Sequence, residues 1–283
     1  MSESLILGLP QLFAVLIGLV VGSFLNVCIV RLPEDRSIIV PRSHCPSCGH
    51  TLRPLELIPV VSWLVLRGRC GHCGSPISPA YPLIEILTAM LAWLLFRRLV
   101  PDLSALDVAH AVAWLAYFTF LCLLVVAAYV DVRHWIIPDW ASIYAIPLGL
   151  IVALVLPSLG YEGWLALDWR QSVTGALVGG SALATASIVA RWVMGREALG
   201  WGDVKLMAMI GAFVGPVQVI FLVLLPASLI GSVISLAHLA WTRRRGYLPY
   251  GPSLALAAAI YVFYGDIIAR RWLPGVAFWM GLL

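Results

Sequence analysis

Two acids of this chain stand where acids are costly. Asp131 closes the apolar run 111–130 and opens Asp-Val-Arg-His-Trp-Ile-Ile-Pro-Asp139, and Asp203 ends Gly200-Trp-Gly-Asp203, just after the apolar run 172–193. An ionisable residue at membrane depth marks a functional site by default. Two carboxylates able to meet at one membrane face suggest a pair that activates water, because neighbouring acids can share one proton. Gly200 and Gly202 let the backbone bend or approach another helix closely. Gly-x-Gly-Asp is weak as a lone pattern and gains meaning from falling at the same membrane face as Asp131.

Four of the six cysteines are paired by spacing, as Cys45-Pro-Ser-Cys48 and Cys70-Gly-His-Cys73, with 21 residues between the pairs. Each pair brings two sulfurs to one point, and two such knuckles complete a closed four-thiolate zinc site. Two disulfides are the alternative, disfavoured if the loop is in the reducing cytoplasm. Four thiolates leave no open coordination position, so the expected zinc is structural and folds a loop too small to build its own core. His44, His50 and His72 read as surface residues beside a complete ligand set. Cys28 and Cys122 lie in apolar runs and read as small buried hydrophobes.

Composition sets the frame that positions these groups. Of 283 residues, 61% are apolar and 11% charged, with mean hydropathy +0.97. That balance excludes an ordinary soluble domain and predicts an all-α polytopic membrane protein of about eight transmembrane helices. The expected spans are 7–30, 82–100, 108–130, 140–156, 172–193, 204–219, 220–241 and 254–272, with Gly215-Pro216 the natural turn between the sixth and seventh. The expected organisation is a first helix (1–30), a small cytoplasmic four-cysteine zinc domain (31–80) and a transmembrane bundle carrying the acids (81–283). The first stretch lacks a basic region before it and reads as a retained span rather than a cleaved signal.

If the helices alternate, 13 of the 18 Lys and Arg fall on one side, among them Arg31, Arg36, Arg42, Arg53, Arg67, Arg69, Arg133, Arg191, Arg196, Lys205, Arg243, Arg244 and Arg245. The positive-inside rule puts that side, with the cysteine loop, Asp131 and Asp203, in the cytoplasm. Arg97, Arg98, Arg270 and Arg271 run against the rule. The tryptophans near span ends read as interface anchors, and the Arg243–Arg245 run as a topology signal; no nucleic-acid partner is expected.

The remaining acids have plainer readings. Asp139 follows Pro138 and reads as a helix-start residue. Glu85 reads either as an acid in a helix's first turn or as a partner for a loop arginine. Asp266 sits four residues before Arg270, the spacing of a surface ion pair. Lys205 either pairs with a carboxylate or reaches for the interface.

In order along the chain, Gly22-Ser-Phe-Leu-Asn-Val-Cys-Ile-Val-Arg-Leu-Pro33, the two cysteine knuckles, Pro82-Leu-Ile-Glu85, Asp131 to Asp139, Gly200-Trp-Gly-Asp-Val-Lys-Leu206 and Pro249-Tyr-Gly-Pro252 resemble the type IV prepilin peptidases. These are membrane aspartic proteases that process prepilins and type II secretion pseudopilins. The resemblance implies that Asp131 and Asp203 are the catalytic acids. It also implies prepilin or pseudopilin substrates with a short basic leader and an apolar helix, cleaved at the cytoplasmic face of the bacterial inner membrane. N-methylation of the new N-terminus with S-adenosylmethionine is implied by resemblance alone, with no residues assigned to it. The usual Pro-Phe-Gly-Pro reads Pro-Tyr-Gly-Pro here; the ring is kept and little consequence is expected. The rival reading is an ion- or proton-coupled transporter using the intramembrane acids.

Overall fold

A computed structural model describes residues 3–34, 36–102, 105–195, 200–242 and 248–280. Arg196 and the run at Arg243, Arg244 and Arg245, which carry part of the expected charge asymmetry, lie outside the described residues. The chain forms two compact units, Met1–Leu106 and Asp107–Leu283. Among the described residues, seven helical segments are long and apolar enough to cross a membrane.

The first unit holds α1 (Glu3–Arg31), the short α2 (Val61–Val65) in the cysteine loop, and α3 (Ala80–Leu99). Gly18 and Gly22, one helical turn apart on α1, let it close onto α3. A Cβ on Gly18 would come within 2.5 Å of Ala89 Cα, and one on Gly22 within 2.7 Å of Glu85 Cα. Small residues serve this purpose in a bilayer, where lipid tails are as apolar as leucine and packing must drive association. The contact sets Ser23 beside Glu85. The Glu85 carboxylate accepts from the Ser23 hydroxyl and, at 2.7 Å, from the Val60 N–H. Glu85 is thus an early-turn acid of α3 that anchors the backbone of the cysteine loop.

The second unit contains α4 (Val108–His134), α5 (Ile146–Ser158), α6 (Trp169–Met194), α7 (Trp201–Val214), α8 (Pro216–Gln218), α9 (Leu225–Thr242), α10 (Gly251–Trp272) and α11 (Pro274–Trp279). A π-helical turn, Val219–Leu224, joins α8 to α9. The sixth expected span, 204–219, is the 14-residue α7. At ~1.5 Å per residue it is about 21 Å long, short of the ~30 Å hydrocarbon core. Gly215, with φ 96°, and Pro216 end it where the turn was expected.

A helix ending within the bundle leaves its last four carbonyls without intrahelical partners, and hydrocarbon supplies none. Here protein supplies them. Gly211 O accepts from Gly215 N–H at 2.9 Å, and Ala212 O from the Ser172 hydroxyl at 2.8 Å. Phe213 O accepts from the Tyr117 hydroxyl at 3.1 Å, and the Tyr261 hydroxyl lies 3.5 Å from Val214 O. The one Tyr117 proton is shared between Phe213 O and Leu165 O, the latter at 2.7 Å, and the residue is fully buried. Gly175 of α6 and Gly211 of α7 meet so closely that a Cβ on either would overlap the other's carbonyl. Leu206, Met207, Met209, Ile210, Ala212 and Phe213 of α7 are all buried.

Removing the hydroxyl that caps α7 tests this account. Tyr117→Phe should destabilise the protein by about 1–3 kcal/mol, the cost of a buried polar group left unpaired. A thermal unfolding midpoint in detergent equal to that of the parent would contradict it.

Candidate active site and metal centre

Asp131 lies in the last turn of α4, inside the helix rather than beyond it. The helix closes at Trp135, whose left-handed φ of 61° lets its N–H return to Asp131 O at 2.9 Å. Asp203 lies in the first turn of α7, where its carboxylate accepts from the Gly200 N–H at 3.3 Å. An acid there also faces the positive end of the helix dipole. Both carboxylates are almost fully buried. They are near enough for the charge of Asp131 to act on Asp203.

Three chain segments make this meeting possible. The link after α4 carries Ile137, against which both glycines pack. A Cβ on Gly202 would come within 3.1 Å of Ile137 Cβ, and one on Gly251 within 3.2 Å of its Cδ1. Gly251 opens α10, and its N–H donates to Asp131 Oδ2 at 2.9 Å. A Cβ on Gly251 would sit 2.6 Å from that same oxygen, so glycine is needed for the backbone to approach.

Tyr250 adds a hydroxyl to the same corner. Its phenol lies 3.0 Å from Ser228 Oγ. Ser228 spends its own proton on Leu224 O at 2.8 Å, so Tyr250 is the donor of the pair. Burial pushes the Tyr250 phenol above its ordinary range, and the charge of Asp203 adds to the effect, so it stays a donor. The extra hydroxyl that distinguishes Pro-Tyr-Gly-Pro therefore has a partner and a charged neighbour.

Asp139 opens a short 3-10 turn, Asp139–Ala141, and forms an ion pair with Lys205 at 2.7 Å. Both side chains are partly exposed, so the pair contributes about 0–1 kcal/mol. It fixes Lys205 on a carboxylate and leaves the buried acids without a lysine between them.

In the first unit, the sulfurs of Cys45, Cys48, Cys70 and Cys73 all lie within 4.8 Å of one another. None is in a disulfide. The two knuckles repeat one geometry: Gly49 N–H bonds Cys45 O and Gly74 N–H bonds Cys70 O, each at 2.9 Å, with φ of 70° and 71° at the glycines. A tetrahedral ion with ~2.3 Å metal–sulfur bonds needs sulfurs about 3.8 Å apart. Cys45 and Cys73 sulfurs are 3.9 Å apart. The Ser75 hydroxyl lies 3.6 Å from Cys45 Sγ and 3.2 Å from Cys73 Sγ. It draws the Cys45 thiol down to about 6 and lowers that of Cys73 as well. The four cysteines can hold a metal ion. His50 and His72 stack on each other at 4.7 Å outside the sulfur cluster.

A helical bundle with two buried carboxylates at neighbouring helix ends, in a chain that also carries a four-cysteine loop, defines the class. Residues 16–99 match the Bacterial Peptidase A24 N-terminal domain, and residues 118–236 match the Type IV leader peptidase family. The chain is 36% identical to a prepilin leader peptidase/N-methyltransferase of Aeromonas hydrophila, over 94% of this chain and 96% of that protein. It is 41% identical to a protein of the same name from Myxococcus xanthus, over 83% of this chain but only 64% of that longer protein. It is 38% identical to a type 4 prepilin-like proteins leader peptide-processing enzyme of Escherichia coli, over 87% of this chain and 91% of that protein. No solved structure matches. The chain belongs to the type IV leader peptidase family. The transporter reading finds no support in these relatives.

Elemental analysis of purified protein should find one metal ion per chain, lost in Cys45→Ser and Cys70→Ser. A thiol must shed its proton to bind metal, so retention should fall as the pH is lowered. Full occupancy in both serine variants would contradict the site.

Proposed function

We propose that Asp131 and Asp203 are the catalytic pair of a membrane-embedded aspartic endopeptidase that removes the leader from prepilins or type II secretion pseudopilins. The observation that carries this reading is the meeting of the two buried acids, one on the last turn of α4 and one on the first turn of α7, in a chain of the leader peptidase family. Two carboxylates this close resist ionising together and share one proton. The ionised partner takes a proton from water as the water attacks the scissile carbonyl. The protonated partner donates to the developing oxyanion, and a proton then passes to the leaving amine. No covalent intermediate is needed. One oxygen of each carboxylate is held by a main-chain N–H, Gly251 for Asp131 and Gly200 for Asp203. That fixes the direction in which each free oxygen points.

In this proposal residues 31–80 are a small domain folded by structural zinc on Cys45, Cys48, Cys70 and Cys73, and the bundle that follows holds the peptidase site. The ion takes no part in hydrolysis, since four thiolates close its coordination sphere. The positive-inside distribution supports an inner-membrane protein with the acids at the cytoplasmic face. The names of the relatives support a second step, N-methylation of the new N-terminus from S-adenosylmethionine. That step rests on those names and on the resemblance, not on an assigned set of residues.

The test is leader removal from a co-expressed precursor, followed by mass, which also separates leader loss from methyl addition. Asp131→Asn and Asp203→Asn should each slow cleavage by about 10²–10⁴-fold, the contribution of a positioned acid or base. Asp139→Asn, whose lysine pair is on the surface, should stay within about fivefold of the parent. Cleavage retained by both single variants at matched expression would end the dyad reading.

A further inference from the structure

Between its two knuckles, the cysteine loop of the first unit turns large apolar side chains outward. Leu55, Leu57, Ile58, Val61, Leu64 and Val65 are all exposed, the last three by 52%, 61% and 73%. A contiguous apolar surface of this kind marks a binding face. Three of these residues lie on α2, and at ~100° per residue Val61, Leu64 and Val65 fall within one arc of about 100°. The opposite arc is engaged with the loop itself. The Ser62 hydroxyl is spent on Ile58 O at 2.7 Å, and Trp63 Nε1 donates to Ile77 O at 3.2 Å. A Cβ on Gly68 would meet the Trp63 ring at 2.9 Å, and one on Gly71 would come within 3.4 Å of Leu66, so this side faces the second knuckle.

Val60 fixes the level of the outward face against the membrane. Its N–H donates to the Glu85 carboxylate at 2.7 Å, and Glu85 lies five residues into α3, a membrane span of 20 residues. At ~1.5 Å per residue, Glu85 is about 8 Å beyond the start of a helix about 30 Å long, no longer than the hydrocarbon core is thick. The helix has no length to spare above the bilayer, so a segment bonded to its second turn stands where headgroups give way to acyl chains. Leu83 and Ile86, on the same turns of α3, are likewise apolar and exposed.

Charge selects the occupant. Arg53 precedes the apolar segment and Arg67 and Arg69 follow it, all three exposed. Residues 31–80 hold six arginines against three acids, Glu34, Asp35 and Glu56. Glu34 is paired with Arg36 at 2.8 Å, and Glu56 accepts from the Arg53 N–H at 2.8 Å. An apolar face bounded by arginines fits an anionic leaflet: the apolar side chains enter the acyl boundary while the guanidinium groups stay among the headgroups.

We propose that residues 55–65 are an interfacial anchor lying in the leaflet from which the loop emerges, with Val61, Leu64 and Val65 among acyl chains and Arg53, Arg67 and Arg69 on anionic headgroups. The four-cysteine loop is then docked on the bilayer surface instead of standing off in water.

The test uses the full chain with a small fluorescent amino acid in place of Leu64, in vesicles of equal parts phosphatidylcholine and phosphatidylglycerol. Lipid carrying a nitroxide near the top of its acyl chain should quench the emission by about half or more, and acrylamide in the water should quench about fivefold less than it quenches the free fluorophore. Strong acrylamide quenching without nitroxide quenching puts the face in water and overturns the proposal. Quenching by neither reagent means that protein covers the face, and overturns it too. A label at Val65, on the same face, should give the same result, so the outcome does not depend on one labelled chain folding. In vesicles of phosphatidylcholine alone, acrylamide quenching at position 64 should rise about twofold as the arginines lose their anionic partners. Equal quenching in the two kinds of vesicle overturns the role given to the arginines.

Discussion

A helix that stops inside a bilayer must have its free carbonyls answered by protein, and the second unit is organised around that demand. Short α7 can end at Gly215 because Ser172, Tyr117 and Tyr261 reach its last turn from three other helices. With the far end of α7 fixed in this way, its near end is fixed too, and Asp203 stands on the near end. The Gly175–Gly211 contact then sets α6 against α7 at backbone distance. Positioning of the carboxylate at one end of α7 thus depends on hydroxyls that meet the other end, in the way that a rigid scaffold normally supports a site.

The same economy shows at the acids. Their named partners are main-chain N–H groups rather than basic side chains, and Lys205 is occupied by Asp139. A buried carboxylate paired with lysine would be held ionised. One held by a single amide keeps the freedom to gain or lose a proton. In the first unit the chain solves a different problem: a loop without a core is pinned at two points. Four sulfurs gather one end, and Glu85 grips the Val60 amide at the other.

Apolar runs and spacing made much of this legible. Lengths of about 20 apolar residues marked the long spans, and the cysteine repeat marked the sulfur cluster, because both signals are local in sequence. Gly215-Pro216 marked the end of α7 for the same reason. The partners of α7 were not legible: Tyr117 lies 96 residues from Phe213, and Ser172 lies 40 from Ala212. Gly251 escaped notice as a functional residue because it acts through its backbone and by lacking a side chain. Glu85 left two readings open, and its partner proved to be an amide of the loop. Tyr250 looked like a neutral variation, since a hydroxyl's consequence depends on what lies 3.0 Å away, here Ser228 of another helix.

The π turn at Val219–Leu224 has a consequence for the helix it feeds. Such a turn holds one residue more than an α turn, and each α-helical residue advances the chain by about 100°. Everything beyond it on α9 is therefore phased by that single surplus residue. Were it absent, Ser228 would swing by over a quarter of a revolution, away from the Tyr250 hydroxyl that it now meets at 3.0 Å. A one-residue irregularity thus acts as the indexing step that decides which residue of an apolar span meets Tyr250.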